Sequence, residues 1–148
     1  MRLSAKGRYA LAATTSMAQN QSNNEYITLI SISEKLGISK IYLEQVFSLL
    51  KHGGIVNSIK GSQGGYQLSR AQQQITVYDI LSAVETSLFE STEETIKAKA
   101  PEIESAMSQT IYNPLDSLIK SSLQKITLYD LVTEAEKHKN NQDFMFFI

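Results

Sequence analysis

Thr28-Leu-Ile-Ser-Ile-Ser-Glu-Lys-Leu-Gly-Ile-Ser-Lys-Ile-Tyr-Leu-Glu-Gln-Val-Phe-Ser-Leu-Leu-Lys-His-Gly-Gly54, with Ile55-Val-Asn-Ser-Ile-Lys-Gly-Ser-Gln-Gly-Gly-Tyr-Gln-Leu68 directly behind it, decides the fold. Leu29, Ile32 and Leu36 recur at i, i+3 and i+7 behind Thr28, a good N-cap, so a short helix runs up to Gly37. Ser39 then caps a second helix that reaches about His52, where Gly53-Gly54 stops it. A short helix, a glycine turn and a longer helix outline a helix-turn-helix, an outline that generic αα corners share. Ile55 to Lys60 alternates and is β-branched, Gly61 to Gly65 is a turn, and Tyr66 to Leu68 alternates again, which spells a β-hairpin. A corner that only packs a core has no need of a glycine-rich basic hairpin beside it. The expected fold is therefore mainly α with a small β-hairpin wing: a winged helix-turn-helix domain plus a long dimerisation helix.

Ahead of this segment, Tyr9, Ala10, Ala13 and Met17 share one helical face, as in an amphipathic core helix. Arg2, Lys6 and Arg8 before Tyr9-Ala-Leu-Ala-Ala13 have a superficial likeness to a secretory leader. The apolar part is short and diluted by Thr14, Thr15 and Ser16, so the chain reads as cytoplasmic. Gln19 to Glu25 is a polar loop. The longest apolar runs, Tyr9 to Ala13 and Phe144 to Ile148, fall far below the roughly 18 residues of a membrane span. At 148 residues and 42% apolar content, the chain is one compact domain or a small domain carrying an assembly segment. It contains no cysteine, which excludes disulfides, thiolate metal or cluster ligands and a thiol nucleophile.

Toward the C-terminus two near-copies appear, Ile75-Thr-Val-Tyr-Asp-Ile-Leu81 and Ile126-Thr-Leu-Tyr-Asp-Leu-Val132. In each, a threonine can cap a helix while an aspartate three residues on meets the positive end of the helix dipole. Two copies 51 residues apart with dissimilar material between them make no solenoid, and shared capping chemistry explains them. Thr86 to Ala100 is polar and acidic, a surface connection. From Pro101 to Leu123 a stripe of Ile103, Met107, Ile111, Leu115, Leu118, Ile119 and Leu123 would make a helix of about 34 Å if continuous. So long a helix overhangs a small domain, and its apolar side is expected to meet the same helix of a twin subunit. Pro114 removes a backbone hydrogen bond, and Asn113-Pro114-x-Asp116 would suit a fresh N-terminus, so a kink or break is expected there. The boundaries drawn are 1–85 for a DNA-binding winged helix-turn-helix domain, 86–100 for a connecting loop and 101–148 for the dimerisation helix and a C-terminal helix or tail. The apolar ending Phe144 to Ile148 is expected to pack on its own dimer, with a hook for a protein partner as the alternative.

The formal charge of −1 hides an asymmetry: residues 1–70 carry eight Lys/Arg against three Asp/Glu, a net +5, and residues 71–148 carry six against twelve, a net −6. A basic half joined to an acidic half fits a polyanion-binding module followed by something else, although chance clustering gives the same split. With Leu43, Val46, Phe47 and Leu50 as the buried stripe of the second helix, Ile41, Glu44, Gln45, Ser48 and His52 occupy the opposite face, flanked by Lys40 and Lys51. A major-groove reader needs such a face: glutamate accepts from a cytosine amine, glutamine pairs with adenine and lysines meet phosphates. A merely solvated amphipathic helix has the same pattern. In the hairpin, Gly64 and Gly65 permit close approach to a phosphate chain or minor groove, with Lys60 and Tyr66 adding charge and a phenolic donor; the alternative is a turn that uses glycine for positive φ. No G-x-G-x-x-G, Walker loop, G-x-S-x-G or H-E-x-x-H occurs, and His52 and His138 lie too far apart to suggest a ligand pair, so no enzyme chemistry, metal site or cofactor is expected.

Met1-Arg-Leu-Ser-Ala-Lys-Gly-Arg-Tyr-Ala10, Ile32-Ser-Glu-Lys-Leu-Gly-Ile-Ser39, Tyr42-Leu-Glu-Gln45, Gly64-Gly-Tyr66 and Ile126-Thr-Leu128 resemble, in order and spacing, the landmarks of the Rrf-type winged-helix transcription regulators, over roughly residues 1–135. The resemblance is strongest to the family's iron–sulfur cluster regulators. It implies a homodimeric DNA-binding regulator whose recognition helix and wing read a pseudo-palindrome. Glu44 matches a base-reading glutamate, Lys60 stands where the cluster regulators have a wing arginine, and Ile41 where they have a serine. Ala106 and Gln109 stand at the positions of the third cluster cysteine and the histidine, so a conventional cluster site is absent.

The DNA-contacting set expected is Arg2, Ser4, Lys6 and Arg8 at the N-terminus, Thr28 on the first helix of the motif, Ser39, Lys40, Ile41, Tyr42, Glu44, Gln45, Ser48 and Lys51 on the second, and Lys60, Gly64, Gly65 and Tyr66 in the wing. Function is expected to be sequence-specific DNA binding by a cluster-free homodimeric regulator, most simply a repressor. The alternatives are a winged-helix module that holds a protein partner, or a small-molecule sensor, with weak or lost DNA binding.

Overall fold

The computed structural model describes residues 2–20, 25–61 and 64–146; Ser62 and Gln63 of the wing turn, most of the loop before Glu25 and the last two residues of the apolar tail lie outside this set. Helix α1 (Ala5–Gln19) is followed by α2 (Leu29–Leu36) and α3 (Lys40–His52), the hairpin β1 (Val56–Ile59) and β2 (Gly65–Leu68), and α4 (Val77–Val84). Beyond a largely exposed connection come α5 (Pro101–Met107), α6 (Asn113–Gln124) and α7 (Leu128–Phe146). The first three helices start where a hydroxyl can replace a missing backbone partner: Ser4, Thr28 and Ser39 accept from the N–H groups of Gly7, Ser31 and Tyr42. Gly37 closes α2 in the left-handed conformation, φ 68°, which glycine adopts without a Cβ penalty.

The core lies where α1, α3 and α4 meet. Ala10, Ala13 and Met17 of α1, the expected stripe Leu43, Val46, Phe47 and Leu50 of α3, and Ile80 and Leu81 of α4 are all essentially inaccessible. Burying each of the larger side chains stabilises the fold by roughly 1.5–3 kcal/mol relative to exposure. The wing pairs antiparallel, with Val56 opposite Leu68 and Ile59 opposite Gly65, so the apolar ends Val56 and Leu68 face the core while Asn57 faces solvent. Ile27 joins the hairpin as a single bridge: its N–H donates to the Tyr66 carbonyl at 2.7 Å, and the Tyr66 N–H donates back at 2.8 Å.

The two near-copies turn out to be neighbours. Thr76 and Thr127 form an antiparallel bridge, with the Val77 N–H donating to the Ile126 carbonyl at 2.8 Å and the Leu128 N–H to the Ile75 carbonyl at 2.9 Å. In each motif the threonine caps the helix as expected, and the aspartate also accepts from the threonine's own N–H, Asp79 from Thr76 and Asp130 from Thr127. The pairing carries Leu128 into the core formed by the winged segment, where it is fully buried, and lays α7 along α1.

Pro114 does not break the long helix. Backbone angles stay helical through Tyr112 and Asn113, and no side chain caps a new N-terminus there. Ser108–Tyr112 widens into a π turn, in which the Asn113 N–H donates to the Ser108 carbonyl, one residue further back than in an α-helix. The proline ring and its missing N–H are thereby accommodated within one continuous helical run, so the expected break does not occur.

Candidate nucleic-acid interface

With Leu43, Val46, Phe47 and Leu50 turned inward, α3 presents Ile41, Glu44, Gln45 and Ser48 on its free face, all exposed. Three adjoining hollows meet at the first turn of this helix. Ile41, Glu44, Gln45 and Ser48 line one together with Lys6 of α1. Lys40 and Lys51 line the next with Thr28 and the wing residues Ser58, Lys60, Gly61, Gly64 and Tyr66. Arg2, Ser4, Lys6 and Tyr42 line the third, beside the end of α4. Five cations thus line three hollows that each take in one residue of the first turn of α3, Lys40, Ile41 or Tyr42, and Glu44 lies exposed in the hollow with Lys6. Glu44 is itself paired with Lys40 at 3.5 Å, an i,i+4 contact that holds it at the mouth of the face. So exposed a pair adds little stability, and its consequence is orientation.

Several expected contact residues have a structural duty as well. The hydroxyls of Ser4, Thr28 and Ser39 are engaged as helix caps. The Tyr42 ring meets Tyr9 edge-on at 5.0 Å, and the Tyr66 ring leans on Phe47 at 4.8 Å. Arg8 lines none of the three hollows and donates from Nη1 to the Leu3 carbonyl at 2.9 Å. The wing glycines answer to the wing itself: a Cβ at Gly65 would lie 2.8 Å from the Ile27 carbonyl oxygen, and one at Gly64 would lie 2.8 Å from that of Ile59. Neither has positive φ, whereas Gly61 does, at 133°. Close packing of wing backbone excludes a side chain at 64 and 65.

Sequence reasoning missed two members of this surface. Ile30 is exposed and lines the wing hollow; its place one residue off the stripe Leu29, Ile32, Leu36 is the signal that could have found it. Glu85, buried at the end of α4, accepts from the Ser4 N–H at 2.6 Å and so fixes where Arg2 and Lys6 emerge. These two residues are 81 positions apart, and nothing in the chain's periodicity pairs them.

The profile of a family described as Rrf2, iron-dependent transcriptional regulator, matches residues 3–134. The chain belongs to this family. This Rrf2-family chain is 37% identical over 136 residues to the HTH-type transcriptional regulator IscR of Cronobacter sakazakii, spanning 92% of its own length and 83% of the relative's. IscR of Vibrio parahaemolyticus is 36% identical over the same share of the chain and 80% of its own. Among solved structures, CymR, the global cysteine regulator of B. subtilis, superposes with a TM-score of 0.72 at 30% identity, covering 90% of this chain and 98% of that one. For T. potens IscR the TM-score is 0.71 at 30% identity, with 93% and 90% covered. The mainly helical architecture with a two-stranded wing is that of these regulators, and the Rrf2-family chain is a winged-helix transcriptional regulator. Its family is one of regulators rather than enzymes. Among the described residues no helix is long and apolar enough to cross a membrane.

The family description names iron, and the residues of this chain do not fit a thiolate-held cluster. There is no cysteine anywhere in it. Ala106 and Gln109, at the positions assigned to a cysteine and a histidine, offer no soft donor. Of the acidic groups nearby, Glu94 pairs with Lys97 at 2.9 Å, a hydrogen bond that raises the lysine's pKa, and buried Glu104 accepts from the Thr95 N–H through Oε1 at 3.1 Å while its Oε2 has no partner among the described residues, a single hard oxygen rather than a thiolate set. Among the described residues no three His, Cys, Asp or Glu gather as a metal site.

Proposed function

We propose that the chain acts in the cytoplasm as a homodimeric, cluster-free repressor that binds a pseudo-palindromic duplex, with the exposed face of α3 in the major groove and the wing on the flanking backbone. The observation that carries this reading is that Arg2, Lys6, Lys40, Lys51 and Lys60 line hollows that each take in a residue of the first turn of α3, beside its exposed face of Ile41, Glu44, Gln45 and Ser48. Lysines and helix N-termini would position the protein on phosphates while Glu44 and Gln45 reach base edges. The exposed apolar residues Ile103, Ile111, Leu115 and Leu118, along α5, the π turn and α6, support a second copy as the partner of that helical run.

Duplex affinity measured at several salt concentrations tests it. Each neutralised phosphate contributes a log–log slope near −0.9, so a dimer contacting about six to ten phosphates should lose orders of magnitude between about 50 and 200 mM salt. Affinity that ignores salt, or absence of binding to any duplex, overturns the reading. DNA-free capture of a protein partner would favour the interaction-module alternative.

A further inference from the structure

We infer that Ile41 is a base-specificity residue that packs against the C5-methyl group of a thymine, an inference that rests on the DNA-binding reading above. Ile41 is 72% exposed. Isolated exposed apolar side chains are common on proteins and by themselves mean nothing. This one stands in the first turn of α3, on the face opposite the core, in a hollow whose other exposed lining residues are Lys6, Glu44, Gln45 and Ser48. Neither packing nor helix propensity asks for isoleucine there, since a β-branched residue is a poorer helix former than the lysine or glutamate a solvated position would accept. The residues of a recognition helix's first turns are the ones that reach base edges.

The major groove offers such a side chain one apolar partner, the thymine methyl; the other edges present donors and acceptors. Ile41 therefore discriminates twice: it gains by covering a methyl, and it leaves a cytosine amine or a purine edge desolvated and unpaired if the base is wrong. Glu44 and Gln45 lie three and four residues on, with side chains about 5–6 Å away along the same face. With base pairs about 3.4 Å apart, the thymine should fall within one or two steps of the amine-bearing bases those residues contact.

Full-length protein would be used to select duplexes from a randomised pool, after which each thymine of the recovered half-site is replaced by deoxyuridine, which removes only the methyl. For the wild type, one such replacement, within two steps of a base whose change is felt through Gln45→Ala or Glu44→Ala, should weaken binding about four-fold per half-site, the effect of one buried methyl-sized group. Ile41→Ser should be indifferent to that replacement and Ile41→Val should retain most of the penalty, both with unchanged melting temperature. If selected duplexes bind tightly but every deoxyuridine penalty is the same for wild type and Ile41→Ser, the inference fails while the DNA-binding reading stands. If the pool yields no preferred sequence, both fall.

Discussion

Gly65 and Lys60 lie close together in the wing and should fail in different ways. Gly65→Ala drives a methyl group to 2.8 Å from the Ile27 carbonyl oxygen, part of a backbone bridge that cannot move without breaking two hydrogen bonds. The expected cost is about 1–3 kcal/mol of stability, read from urea unfolding, with DNA affinity falling only as far as folding does. Lys60→Ala removes an exposed charge and should leave stability within about 0.5 kcal/mol of wild type. Its effect belongs to binding: weaker affinity for the specific duplex and a log–log salt slope shallower by about 0.9 per protomer. An unchanged slope would take Lys60 off the phosphate path. What the chain alone could announce at this scale was local. The inward stripe of α3 and the caps at Thr28 and Ser39 follow from spacing and hydroxyl chemistry. The close approach of Ile27 to Gly65 and the bond from Ser4 to Glu85 join distant segments, and no periodicity encodes them.

At the scale of elements, the repeated Ile-Thr-x-Tyr-Asp motif separates a local duty from a tertiary one. Asp79 and Asp130 each accept from their own N-cap N–H, at 3.0 and 2.9 Å. Asp79 alone also takes Arg70 Nη2, at 3.0 Å in a partly buried pair, and the same guanidinium donates to the Gly54 and Gln74 carbonyls. Arg70 therefore clamps the end of the wing to the start of α4. Asp79→Ala should cost more than the roughly 1 kcal/mol of a lost cap, because it also leaves that arginine unpaired, whereas Asp130→Ala should cost no more than the cap. Equal melting-temperature shifts for the two variants would show that the clamp adds nothing. Capping was legible in both copies because it depends on residues three apart. Their mutual bridge through Thr76 and Thr127 was not, since it depends on where the intervening chain returns. Pro114 shows the converse: proline's missing N–H argues for a break, and the π turn ahead of it supplies a remedy that no capping pattern reveals.

At the scale of the molecule, the question is what covers α5 and α6. Ile103, Ile111, Leu115 and Leu118 are 50%, 52%, 52% and 68% exposed along a helical run that meets the rest of the chain chiefly at α4. A recognition surface used once would bind one half-site. Two copies joined along this helix would present α3 twice, and a two-fold related pair reads half-sites about one helical turn, 34–36 Å, apart. On the proposed dimer the same stripe would govern assembly and affinity together. Leu115→Glu combined with Leu118→Glu places charge where an apolar partner surface would have to close, at positions too exposed in the single chain to disturb its core. Sedimentation should then show a folded monomer with native helical content, and binding to the full palindrome should fall to the level of an isolated half-site. A variant that still sediments as a dimer would move the assembly surface elsewhere. A monomer that keeps full affinity would mean that one copy reads the operator alone, leaving the symmetry without a purpose in recognition.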